Sequence, residues 1–141
     1  DRRLDRLVHE INLEVSSQID CAKCRNCCVQ MSPGVDPDEM DRVAAKLGMT
    51  AQEFDDRYMV TTQFGERMVG GPPCPFLGKD RECVLGKDKP RDCRHYPHLR
   101  KSEFRSRTLM ALCNAGRCPI VSNVLEALKI ETGFYEWRRR W

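Results

Sequence analysis

Apolar residues recur every three to four positions at both ends of this chain and lose that rhythm in its middle. Leu4, Leu7, Val8, Ile11 and Val15 share one face of a helix predicted over residues 1–18, with Arg2, Arg3, Asp5, Arg6 and Glu10 on the others. His9, one position beyond Val8, is expected to face solvent or pack in part. Met40, Val43, Ala44 and Leu47 make a second stripe. Asp36 is placed to cap that helix, Pro37 suits its first turn, Glu39 completes a capping-box pattern, and Gly48 ends the run. Thr50 and Glu53 repeat the start signal for a further short helix that buries Phe54 and Tyr58.

The last third is again helical by pattern. A helix or helical turn is expected over 105–112, carrying Leu109, Met110 and Leu112. Pro119 then opens a helix through Thr132, with Val121, Val124, Leu125 and Leu128 on one face and Gly133 closing it. Phe134 and Trp137 are expected to pack, ahead of a basic tail at 138–140. Between the helical ends, residues 59–62 and 67–69 read as the arms of a hairpin around Phe64 and Gly65. Gly70-Gly71-Pro72-Pro73 stops regular structure, and residues 74–98 are loops rich in Gly, Asp, Lys and Pro. The pattern predicts a mainly α fold with long loops and one short β-hairpin. With no repeat or low-complexity linker, residues 1–141 are expected to form a single small domain.

Composition changes that picture in one respect. Hydrophobic residues make up 40% and aromatics 7%, which is modest for a core of this size. A domain short of apolar surface commonly adds metals or disulfides. The formal charge of +3 comes from interspersed acids and bases, so nothing favours a nucleic-acid partner. No run of 18 apolar residues exists, and no membrane span is expected. The chain opens on Asp1, so its sequence carries no information about a preceding leader.

The thiols supply what the core lacks. Cys21, Cys24, Cys27 and Cys28 fall within eight residues, and Cys74, Cys83, Cys93, Cys113 and Cys118 follow. Two-residue gaps let successive sulfurs turn toward one point, as a tetrahedral thiolate site or an iron–sulfur cluster requires. Nine cysteines in 141 residues is about 6%, below the roughly 8–10% of secreted disulfide scaffolds. Their odd number and the adjacent pair at 27 and 28 also argue against simple disulfide pairing. Metal or cluster binding in a reducing cytoplasm is therefore expected. Loops anchored by Cys74, Cys83 and Cys93 would be ordered by the ligand they hold. Lys89, Arg91 and Arg94 concentrate positive charge beside Cys93 and would offset a centre of ionised thiolates. Enough cysteines are present that neither His95 nor His98 is needed as a ligand.

The block Cys21-x2-Cys24-x2-Cys27-Cys28, the run Cys74-Pro75-Phe76-Leu77, then Cys83 and Pro90-x2-Cys93-Arg94-x-Tyr96-Pro97 resemble the bacterial YkgJ-type cysteine-cluster family, a zinc- or iron-chelating domain. Asn114-Ala115, Cys118-Pro119-Ile120-Val121 and the helix that follows resemble the C-terminal part of a subset of that family. Lys89 stands where the family commonly has arginine, which keeps the charge without a bidentate contact. The resemblance implies Cys21, Cys24, Cys27, Cys28, Cys74, Cys83, Cys93 and Cys118 as ligands, and leaves Cys113 as a packed, non-ligating thiol. Arg94 and Tyr96 would support the centre from outside its ligand set.

Eight thiols divide into two sets of four, the adjacent Cys27 and Cys28 being the natural point of division if their side chains diverge. Two four-cysteine zinc sites, two clusters, or one cluster with an open remainder all fit. The Cys-x2-Cys-x2-Cys run and the Cys118-Pro119 pair favour a 4Fe–4S cluster slightly over zinc. Three functions follow: a metal- or cluster-binding module, a redox or methyl-transfer enzyme component akin to the longer flagellin lysine N-methylases of the family, or a structural zinc-bound interaction domain. No Gly-rich nucleotide loop, paired carboxylate site or Ser/His/Asp set is present to support chemistry by this chain alone, and the sequence names no protein partner.

Overall fold

The computed structural model describes residues 1–140. In chain order the elements are α1 (Arg2–Ser17), α2 (Cys21–Cys24), α3 (Asn26–Gln30), α4 (Met40–Lys46), α5 (Ala51–Tyr58), β1 (Met59–Thr61), β2 (Arg67–Val69), α6 (Arg91–His95), α7 (Thr108–Ala115), α8 (Pro119–Glu131) and α9 (Phe134–Arg138). Three 3-10 turns, Pro37–Glu39, Gly86–Asp88 and Phe104–Arg107, interrupt the connections. The fold is mainly helical with one antiparallel hairpin, as the pattern of apolar positions predicts. The chain falls into two compact units: Arg25–Tyr96 is continuous, and the other holds Asp1–Cys24 and the chain from Pro97 onward.

In the discontinuous unit, α1 starts where the Asp1 carboxylate accepts the N–H groups of Arg3 and Leu4. It packs on α8, which also carries α7 and α9. Val8, Ile11, Phe104, Ala111, Ile120, Val121 and Val124 are buried. Asp5 fastens α1 to the 3-10 turn before α7 by accepting the backbone N–H groups of Phe104 (2.8 Å) and Glu103 (3.1 Å). These bonds, the Phe104 one foremost, hold the Asp5 carboxyl below its usual range. His9 is exposed, as expected. Cys113 is exposed on α7 rather than packed. Its neighbours Leu109, Met110 and Leu112 are exposed too, so only Ala111 and Asn114 of α7 are buried.

The continuous unit is built on a small aromatic core. Phe54 of α5 lies with its ring centroid 5.3 Å from Tyr58 and 5.9 Å from Phe76, and Tyr58 meets Phe76 edge-on at 5.1 Å. Val35, Val43, Ala44, Met59, Val69 and Leu85 complete the buried cluster, with Cys74 and Cys83 half-buried against it. Thr50 and Glu53 form the reciprocal capping box that their spacing predicts. β1 and β2 pair in the predicted hairpin, with Met59 opposite Val69. Pro33 and Gly34 are fastened to β2, since the Val69 N–H donates to the Pro33 carbonyl at 2.9 Å and Gly34 bridges Met68.

The start of α4 departs from expectation. Asp36 makes no side-chain cap and Glu39 closes no capping box; Glu39 is instead buried and bonded to Arg42 and to a segment far along the chain. Gly71 takes a φ of +152°, where a Cβ would run into Ser32 Oγ and the Pro73 carbonyl, so the bend leading to Cys74 requires glycine. Removing the central ring should expose how much the unit depends on this cluster. Phe54→Ala is expected to lower stability by about 3–5 kcal/mol, read as a shifted urea midpoint at unchanged slope.

Candidate metal centre

The cysteine block is not one helix. Arg25 takes a left-handed backbone (φ 53°, ψ 11°), which ends the helical turn α2 and starts α3. Cys21 and Cys24 therefore belong to the discontinuous unit, and Cys27 and Cys28 to the continuous one. The boundary between the two compact units falls at Arg25. The two adjacent thiols do not diverge, since their sulfurs lie 4.0 Å apart in S–H···S contact.

The continuous unit brings Cys27, Cys28, Cys74, Cys83 and Cys93 toward one another. The Cys74 N–H donates to the Cys28 carbonyl at 2.8 Å, tying the Cys-Pro-Phe-Leu run to α3. Leu77 and Cys83 form an isolated antiparallel bridge that returns the chain to the same place, and the Val84 N–H donates to the Phe76 carbonyl at 2.9 Å. Cys93 arrives on α6. None of the five is disulfide-bonded. Among the described residues, no group of three or more His, Cys, Asp or Glu side chains converges tightly enough to hold a metal ion. The thiols are neighbours, not yet a coordination polyhedron.

Their electrostatics show how close that neighbourhood is. Burial pushes the Cys74 thiol up, and the charges that Cys28 and Cys83 would carry push it further. The backbone N–H dipoles of Phe76 and Leu77 act the other way and favour the thiolate, the Leu77 N–H itself donating to the Cys74 carbonyl at 3.1 Å. The surrounding protein raises Cys93 to about 12, with Cys74, Asp92, Cys28 and Cys83 adding to the effect. Cys93 nonetheless keeps an exposed surface, so solvent and reagents reach it, and that access limits how strongly burial acts on its sulfur. In the adjacent pair, the shared hydrogen bond puts the proton on Cys27 and the negative charge on Cys28. That bond, then the charges of Arg25 and Lys89, lowers Cys28 to about 6.

The cation that matters most was not singled out in the basic run at 89–94. Arg25 is buried, its Nη2 pairs with exposed Glu82 at 3.3 Å, and its Nε is buried without a hydrogen-bond partner. The one signal for it in the sequence is its position between Cys24 and Cys27. Of the run, Lys89 acts on Cys28, while Arg91 is engaged with Asp36, Asp38 and Glu39. Arg94 is exposed and Tyr96 half-buried. In the other unit Cys21 is exposed, Cys24 half-buried and Cys118 buried at the start of α8. His95 is exposed. No described helix is long and apolar enough to cross a membrane.

These residues fit a thiophilic centre. The donors are all sulfur, a backbone bond ties Cys74 to Cys28, and a buried cation is close enough to favour ionisation of Cys28. The profile of the CxxCxxCC family, described as a putative zinc- or iron-chelating domain, matches residues 20–119, a span that includes all nine cysteines. No curated protein and no solved structure matches the chain. Arg25 can be tested in the metal-free protein. Arg25→Gln is expected to move the pH midpoint of Cys28 alkylation upward from about 6, by roughly one unit or more given a lost neighbouring cation. Alkylation followed by peptide mass spectrometry reads the midpoint.

Proposed function

This chain belongs to the CxxCxxCC family of zinc- or iron-chelating domains, and we propose that its continuous unit holds the metal through Cys28, Cys74, Cys83 and Cys93, with Cys27 beside them. The observation that carries this reading is the gathering of thiols about Cys74, whose N–H donates to the Cys28 carbonyl at 2.8 Å while Cys28 and Cys83 act on its sulfur electrostatically. Four ionised thiolates around zinc(II) leave a net charge of −2. A 4Fe–4S cluster in its common oxidised state leaves the same charge. Buried Arg25 and nearby Lys89 offset part of either.

Cys21, Cys24 and Cys118 are the ligands of a second, separate set in this reading, and Cys113 binds nothing. The all-sulfur donors suit an iron–sulfur cluster or zinc, and metal analysis decides between them. The role is that of a metal- or cluster-binding module of the reducing cytoplasm. Arg94 and Tyr96 are assigned to support of the centre from beyond its ligands.

Protein purified without oxygen should contain metal bound through thiolates. Iron with matching acid-labile sulfide and a brown colour bleached by dithionite identifies a cluster. A colourless protein with bound zinc identifies the closed zinc site and removes the cluster. Cys28→Ser and Cys93→Ser should each lose metal from the continuous unit, whereas Cys113→Ser should keep it; retained metal in both of the first two variants would overturn the ligand assignment. A pH dependence follows with a fixed sign. Cys74 and Cys93 are held protonated in the metal-free protein, so binding releases protons and affinity falls as pH drops. Between about pH 8 and about pH 6 the apparent zinc affinity should fall steadily, by chelator competition, with proton release seen in weakly buffered solution.

A further inference from the structure

We infer that Glu39, with Arg42, is a positioning residue that fixes the spacing of the Cys83 and Cys93 arms of the metal site. The inference rests on the ligand assignment just proposed and concerns residues that hold no metal themselves. Glu39 is a carboxylate with only 6% of its side chain exposed. Its Oε1 accepts Arg42 Nη2 at 2.8 Å and the backbone N–H of Arg91 at 2.9 Å. Its Oε2 also faces that N–H, at 3.3 Å, and lies 3.4 Å from Arg91 Nε. Arg91 is the first residue of α6, which carries Cys93 two positions later.

Arg42 takes hold of the other arm. Its Nη1 donates to the Asp88 carbonyl at 2.7 Å and its Nη2 reaches the Lys89 carbonyl at 3.4 Å. Asp88 ends the 3-10 turn that follows Cys83. One ion pair on the α4 side, its carboxylate buried and its guanidinium half-exposed, therefore bonds both to the stretch of chain leaving Cys83 and to the first turn of the helix bearing Cys93. Pro90, between those two attachments, is fully buried and fixes its own φ. A third tie closes the frame, since Asp92 Oδ2 accepts the Gly34 N–H at 3.0 Å and Pro33 is itself bonded to β2.

A loop of this composition has little apolar surface of its own to set its shape. Without the clamp the two cysteines would be linked by a flexible connection, and ordering it would weaken metal binding. A carboxylate this buried is tolerated because three donors reach it, Arg42 Nη2, the Arg91 N–H and Arg91 Nε, and its loss leaves the Arg91 N–H unsatisfied and Arg42 without its counter-charge.

The test uses the full chain with zinc(II) as probe. In metal-free protein, Glu39→Ala should speed amide hydrogen exchange of residues 86–96 by about tenfold while the hairpin at 59–69 is unchanged. Zinc affinity by chelator competition should fall by about tenfold, and Glu39→Gln, which keeps one acceptor oxygen, should lie between. Arg42→Gln, at a half-exposed position, should repeat both effects and serves if Glu39→Ala does not fold. Unchanged zinc affinity in the variants that fold overturns the clamp, as does faster exchange spread evenly over residues 25–96. Failure of the ligand reading is seen separately: Cys28→Ser and Cys93→Ser would then bind zinc as the parent does.

Discussion

Sulfurs that are to share a metal must first tolerate one another. Cys27, Cys74 and Cys93 are held back from ionising, Cys27 first by its hydrogen bond to Cys28 and the other two first by burial, while Cys28 is pushed the other way. The chain manages that repulsion with a few fixed dipoles and charges: the backbone dipoles of Phe76 and Leu77 acting on Cys74, the buried guanidinium of Arg25 acting on Cys28, and a shared proton between Cys27 and Cys28. Most of the remaining structure of this unit serves to keep those groups in register. A metal ion bound by thiolates offsets such repulsion far more completely than these groups can.

The aromatic core explains how so small an apolar cluster suffices. Phe76 is two residues from Cys74 and stacks on Phe54, so the ring that seals the core also locates the first thiol of the middle block. Leu85 does the same for the chain leaving Cys83. Burial and site geometry are thus set by the same side chains, and one cannot be loosened without the other.

Features whose partners are close in sequence were legible. The capping box of Thr50 and Glu53, the hairpin from Met59 to Val69 and the start of α8 at Pro119 each follow from residues within a turn of one another. The family was legible for a related reason, because the spacing of thiols is itself the motif. Glu39 was misread because its local pattern fits a capping box, whereas its actual partner is an N–H 52 positions away. Arg25 was passed over because only the folded chain shows it to be buried and left-handed. Cys113 was expected to pack, but α7 turns that face outward. Charge in a run such as 89–94 says little about direction; Arg91 turns to the carboxylates at 36–39 while Lys89 acts on Cys28.

The nesting of one unit within the other sets an order during synthesis. Residues 25–96 form an unbroken stretch, so the thiol-bearing unit has all its parts once Tyr96 has emerged from the ribosome. Helix α1 has no such independence, because its partners on α8 and the N–H of Phe104 that Asp5 accepts are made about a hundred residues later. Helix α1 is thus made before residues 25–96 but completes its packing only after they have been made.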